Sequence, residues 1–86
     1  MLKVDLSLDH GELKLNRRVM SRTVWMIELT SAGTLLLNSG GIQDRESLYV
    51  TFVEGKFLHS GYGHVVSQDG MPIRIVGTST LKTVKS

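Results

Sequence analysis

The chain has no cysteine, a single proline and no apolar run long enough to cross a bilayer. Without cysteine there is no disulfide to staple the fold, and no thiolate to hold a metal or attack a substrate. The absence also fits a reducing compartment. A membrane-spanning helix needs ~20 consecutive apolar residues, and no stretch here approaches that. The opening residues Met1-Leu-Lys-Val-Asp-Leu-Ser-Leu8 alternate apolar and polar, unlike the continuous apolar core of a secretory signal. A strong charge of either sign is missing too. The net charge is +2, too little by itself to imply nucleic acid. These absences predict a soluble, cytoplasmic protein. With 86 residues the chain is one domain. A domain so small is marginally stable, and with disulfides excluded, self-association is the remaining way to bury more surface.

What the sequence does have is alternation punctuated by glycine. Gly11, Gly33, Gly55 and Gly77 recur at one fixed interval, and the first two open near-identical text, Gly11-Glu-Leu-Lys-Leu-Asn16 and Gly33-Thr-Leu-Leu-Leu-Asn38. A meander of short strands joined by turns produces such spacing without any true repeat. Leu2, Val4, Leu6 and Leu8 alternate with Lys3, Asp5 and Ser7, a half-buried strand turned by Asp9-His10-Gly11. Leu13, Leu15, Arg17 and Val19 carry one phase of the next segment. The β-branched and aromatic stretch 23–30 reads as a further strand. Ser31-Ala-Gly33 is read as a turn into a strand over 34–37, followed by a loop over 38–46. Residues 48–53, 56–59, 61–66, 73–76 and 81–84 supply the remaining strands, with hairpin signals at Glu54-Gly55 and Asp69-Gly70. Pro72 belongs at a strand start or an edge.

The expected fold is therefore all-β, a small antiparallel barrel or two-layer sandwich of about 7–8 short strands, with one short helix near residues 14–22 as the alternative to a long bent strand there. The expected core is Val4, Leu6, Leu13, Leu15, Trp25, Ile27, Leu29, Leu35, Leu37, Val50, Phe52, Val65, Ile73 and Ile75.

Several residue groups could carry function. Lys14, Arg18 and Arg22 share one phase of an extended segment, with Arg17 beside them, and could track a phosphate backbone. Glycines flank Tyr62, and an exposed tyrosine on a flat strand can stack a nucleobase, with Tyr49 and His59 as companions. His59 and His64 are five apart and fall on opposite faces of a regular strand. With no cysteine and no ligand spacing, a metal site is not expected. Asn38-Ser-Gly-Gly41 could form an anion-binding nest with Arg45 nearby. Met20, Val24 and Met26 leave an apolar surplus on the phase opposite the core, suited to a subunit or partner contact. No strained elbow or nucleophile–base signature marks an enzyme.

Three partial likenesses accompany these groups. Gly61-Tyr-Gly-His-Val65 resembles the first ribonucleoprotein motif of the RNA recognition fold, and Leu48-Tyr-Val50 its second. No segment between them accommodates that family's helix and further strand. Lys56-Phe-Leu-His59, Gly61–Val65 and Asp69-Gly70 resemble the order of features in the cold-shock domain, whose second aromatic motif is missing here. Arg18-Val-Met-Ser-Arg22 with the 38–46 loop resembles the ligand-binding elements of PilZ barrels, with Asn38 standing where that family has its serine. None of these assigns a family. The sequence points to a non-enzymatic, cofactor-free module acting through protein–protein contacts as a homo-oligomer. The alternative is a binder of single-stranded nucleic acid or a nucleotide through Lys14, Arg17, Arg18, Arg22, Tyr49, His59 and Tyr62.

Overall fold

The computed structural model describes residues 2–15 and 24–85. They form a mostly β domain: a single sheet of seven strands with one short helix. The strands are β1 (Leu2–Ser7), β2 (Gly11–Leu15), β3 (Trp25–Leu29), β4 (Ser47–Glu54), β5 (Phe57–Gln68), β6 (Met71–Gly77) and β7 (Lys82–Lys85), and helix α1 (Ser31–Ser39) joins β3 to β4. The sheet order is β1-β4-β5-β6-β3-β2, with β7 also paired to β5. It does not close into a barrel. Consecutive strands β1 and β2 stand at its two ends, and β1 runs parallel to β4, which corrects the purely antiparallel expectation. A helix within 14–22 is excluded at Lys14 and Leu15, which are strand; the rest of that range lies outside the described residues.

Strand β5 organises the sheet. One edge carries β4 along Phe57–His64. The other edge is shared by β6, paired to Gly63–Gln68, and β7, paired to Phe57–Ser60. The segment between β6 and β7 therefore runs past only Gly61 and Tyr62 and must bow outward. The hairpins fall where glycine permits positive φ: Gly55 at +60° in the β4–β5 turn, and Asp69 at +54° with Gly70 at +78° in the β5–β6 turn, the pair of positive values a type I′ turn requires.

One face of the sheet holds the core: Val4 and Leu6 from β1, Leu48, Val50 and Phe52 from β4, Val65 from β5, Ile75 from β6, Trp25 and Ile27 from β3, with Leu37 from the helix and Leu81 from the bowed segment. Leu13 and Leu29 pack at its margin. Leu48 and Leu81 were not expected there. Leu15 and Leu35 were, but both are exposed, and Ile73 is only half-buried. Leu35 belongs to the main correction: 34–37 is helix, not strand.

The helix has local causes. Thr30 caps it, its Oγ1 accepting from the Gly33 N–H at 3.2 Å. At the other end Gly41 takes φ +71°, Ile42 N–H reaches Leu37 O at 3.2 Å and Gly41 N–H reaches Asn38 O at 3.1 Å. This is a Schellman terminus, completed by apolar Leu37 and Ile42 at its two ends. Only Leu37 of the leucine triplet faces inward; Leu35 is 60 % exposed. A helix lets one leucine in three be buried, whereas a strand would bury alternate ones.

Candidate functional site

Alternation decides which side chains face outward. On β4 the core takes Leu48, Val50 and Phe52, leaving Tyr49, Thr51 and Val53 on the opposite face. On β5 the core phase is His59, Gly61, Gly63 and Val65, leaving Leu58, Ser60, Tyr62 and His64 outward. The register sets Tyr49 directly against Tyr62, Thr51 against Ser60 and Val53 against Leu58. β1 adds Lys3 beside Tyr49 and Asp5 beside Thr51, and β7 adds Lys82 beside Ser60 and Val84 beside Leu58.

The result is a graded outer face. Its aromatic row is Tyr49 and Tyr62, ring centroids 5.0 Å apart and inclined at 65°. Next comes a polar row in which the Thr51 hydroxyl donates to the Asp5 carboxylate and Lys82 stands at the far side. Last is an apolar row of Val53, Leu58 and Val84, all exposed. A groove of about 580 Å³ opens on the aromatic row, lined by Lys3, Tyr49, Tyr62, Ser79, Thr80 and Lys82. Tyr62 is 46 % exposed there.

The bowed segment between β6 and β7 builds one wall of this groove. Thr78 N–H donates to Tyr62 O at 2.8 Å, and Ser79 Oγ accepts from Tyr62 N–H at 2.8 Å. Ser79 O in turn accepts from Trp25 Nε1 at 2.8 Å. The surface tyrosine and the buried tryptophan are thus held through one serine. The glycines around Tyr62 serve the opposite side of the strand: a Cβ on Gly61 or Gly63 would stand 3.0 or 3.4 Å from the Trp25 ring.

The residues expected to bind ligand scatter differently. Tyr49 and Tyr62 come together. His59 does not join them: it is 7 % exposed on the core face, its Nδ1 2.8 Å from Thr83 Oγ1 and its Nε2 3.5 Å from Glu54 Oε1 without a hydrogen bond. Side-chain alternation separates it from Tyr62. Lys14 lies on β2, beyond β3 and β6 from β5, and is no part of the groove. Arg17, Arg18, Arg22 and Met20 lie outside the described residues. Val24 is 45 % exposed and Met26 half-buried, beside one another at a small cleft with Lys14, Leu15 and Val76. Gly40 and Gly41 make no free nest, because their N–H groups are taken by helix carbonyls. Among the described residues no group of three histidine or carboxylate side chains converges as metal ligands, and no helix is long and apolar enough to cross a membrane.

Lys3, Ser79, Thr80 and Lys82 were missed. The alternation of β1 marks Lys3 as outward-facing, but its partner strand begins far along the chain. Thr80 and Ser79 sit in a segment with no motif of its own. No protein-family model, curated protein or solved structure matches the chain.

Proposed function

We propose that this domain is a non-catalytic binding module whose outer face receives a planar base carrying phosphate, as in a nucleotide or single-stranded nucleic acid. The observation that carries the reading is the Tyr49–Tyr62 pair, half-buried Tyr49 against exposed Tyr62, framed by Lys3 and Lys82. Stacking on an aromatic ring is worth about 1–3 kcal/mol per base and tolerates any base, while flanking ammonium groups attract phosphate. Both tyrosines line the groove, and Tyr62 is the exposed one of the two. The test is fluorescence polarisation of a short labelled oligothymidylate at low salt. Saturable binding that weakens with salt and falls roughly tenfold or more in Tyr62→Ala supports the reading. Absence of binding, or equal binding by the variant, would sink it.

A second reading, contact with another protein or with a second copy of this chain, is favoured by the exposed Val53–Leu58–Val84 row and by exposed Val24. Paired apolar rows of this kind are a common basis for self-association. Native mass spectrometry separates the two readings: a dimer points to this one, a monomer retaining a nucleotide to the first. A cysteine-free chain suits a cytoplasmic setting for either.

A further inference from the structure

One end of the outer face is unused by the tyrosine groove. Ser47 and His64 pair across β4 and β5, each two residues from the tyrosine on its own strand. They share the tyrosines' face and stand ~6.6 Å further along it. They open onto a second cleft of about 580 Å³, lined also by Asp44, Arg45, Ser67 and Thr78. Thr78 borders both regions, since its N–H donates to Tyr62 O.

Arg45 is the conspicuous residue of this cleft. Its φ is +64°, the left-handed region where glycine is the unstrained choice. The conformation is fixed: Arg45 N–H donates to Val65 O at 2.8 Å, and Val65 N–H donates to Glu46 O at 3.1 Å, prolonging the β4–β5 ladder. A fold needing only the turn would be better served by glycine. What arginine adds is a guanidinium, and this one is 89 % exposed. The facing acid is Asp44, whose Oδ1 accepts from Ser67 N–H at 2.8 Å and whose Oδ2 lies 3.9 Å from Arg45 Nε. That separation is loose for an arginine–carboxylate pair, and surface pairs of this kind hold weakly. The guanidinium is therefore able to turn to a phosphate, which it can grip with two parallel hydrogen bonds, beside the hydroxyls of Ser47 and Thr78 and the His64 ring.

We infer that Arg45, His64 and Ser47 form a phosphate subsite in line with the tyrosine platform, so that the ligand is an oligonucleotide spanning both rather than a single nucleotide. The inference rests on the stacking reading above. The platform holds a base, and the next phosphate along the strand falls to Arg45.

Arg45→Gly tests it, with oligothymidylate and thymidine monophosphate as probes. Glycine suits the backbone, so the thermal midpoint should hold or rise. Oligothymidylate affinity should drop by roughly tenfold, the worth of a charge-assisted contact, and the salt slope should fall by about 0.7. Monophosphate affinity should stay as in the parent chain. Unchanged oligothymidylate affinity and slope, alongside loss of binding in Tyr62→Ala, would overturn the subsite and leave the platform standing. A fall in thermal midpoint would overturn it too, by giving Arg45 a structural role. If the parent chain binds neither probe, the platform fails and the subsite with it.

Discussion

The indole of Trp25 lies so close to Gly77 that a Cβ there would stand 2.2 Å from Trp25 Cε2 and 2.3 Å from Nε1. The same ring extends across Gly63 to Gly61, and its Nε1 reaches Ser79 O. Three glycines on two adjacent strands are the floor on which the one tryptophan rests. Because Ser79 also accepts from the Tyr62 N–H, the placement of the surface platform depends on the packing beneath it.

Gly77→Ala is expected to destabilise the domain by about 2–3 kcal/mol, as overpacking does when neither a rigid ring nor its backbone support can yield. Gly40→Ala is the control. Gly40 has φ −77°, and its nearest contact for a Cβ is 3.5 Å away. It should change stability by no more than about 0.5 kcal/mol. Urea denaturation of both variants decides the matter, and equal stabilities would refute the proposed packing role of Gly77.

The tyrosine pair should be coupled. A double-mutant cycle over Tyr49→Ala and Tyr62→Ala should give a favourable interaction of about 0.5–1.5 kcal/mol in folding free energy. Strict additivity would show that the rings do not support one another in solution.

His59 links β7 to the body of the sheet. Thr83→Val removes the hydroxyl at 2.8 Å from its buried Nδ1 and should cost about 1–2 kcal/mol, with faster amide exchange across Lys82–Lys85. His59→Phe removes the polar ring atoms together with their need for partners and should cost less than Thr83→Val. The reverse order in thermal denaturation would mean that the His59 ring contributes more than this one contact.

Lys3 and Lys82 flank the groove from β1 and β7. If each neutralises a phosphate, replacing both by alanine should lower the salt slope of oligothymidylate binding by about 1.4, at ~0.7 per contact on a single strand. Folding should be unaffected, since both side chains are exposed. A slope equal to that of the parent chain would remove them from the site.

Much of this was legible in the residues. Val4 and Leu6 show their buried phase by alternation alone, Val50, Phe52 and Ile27 sit in segments apolar on both phases yet were expected in the core and are buried there, and Asp69-Gly70 announces its hairpin. The helix was not legible. Gly33 looks like a turn because glycine usually makes one, yet here it is buried in a helix, where a Cβ would stand 2.0 Å from His10 O. That demand comes from a backbone more than twenty residues away in sequence and leaves no mark in the neighbouring text. The regular interval of Gly11, Gly33, Gly55 and Gly77 likewise dissolves into separate causes: Gly55 turns a hairpin, Gly77 yields to Trp25, and Gly11 and Gly33 lie under close neighbours.

The sequence alone determined that the chain is built of short strands and, strand by strand, which side chains share a face, because a pleated backbone sends successive residues to opposite sides. Only the tertiary structure decided which strands are neighbours. Pairing β1 with β4 and β7 with β5 brings Lys3 and Lys82 to the two sides of Tyr49 and Tyr62. Such pairing joins segments more than twenty residues apart in sequence, and no local pattern encodes it.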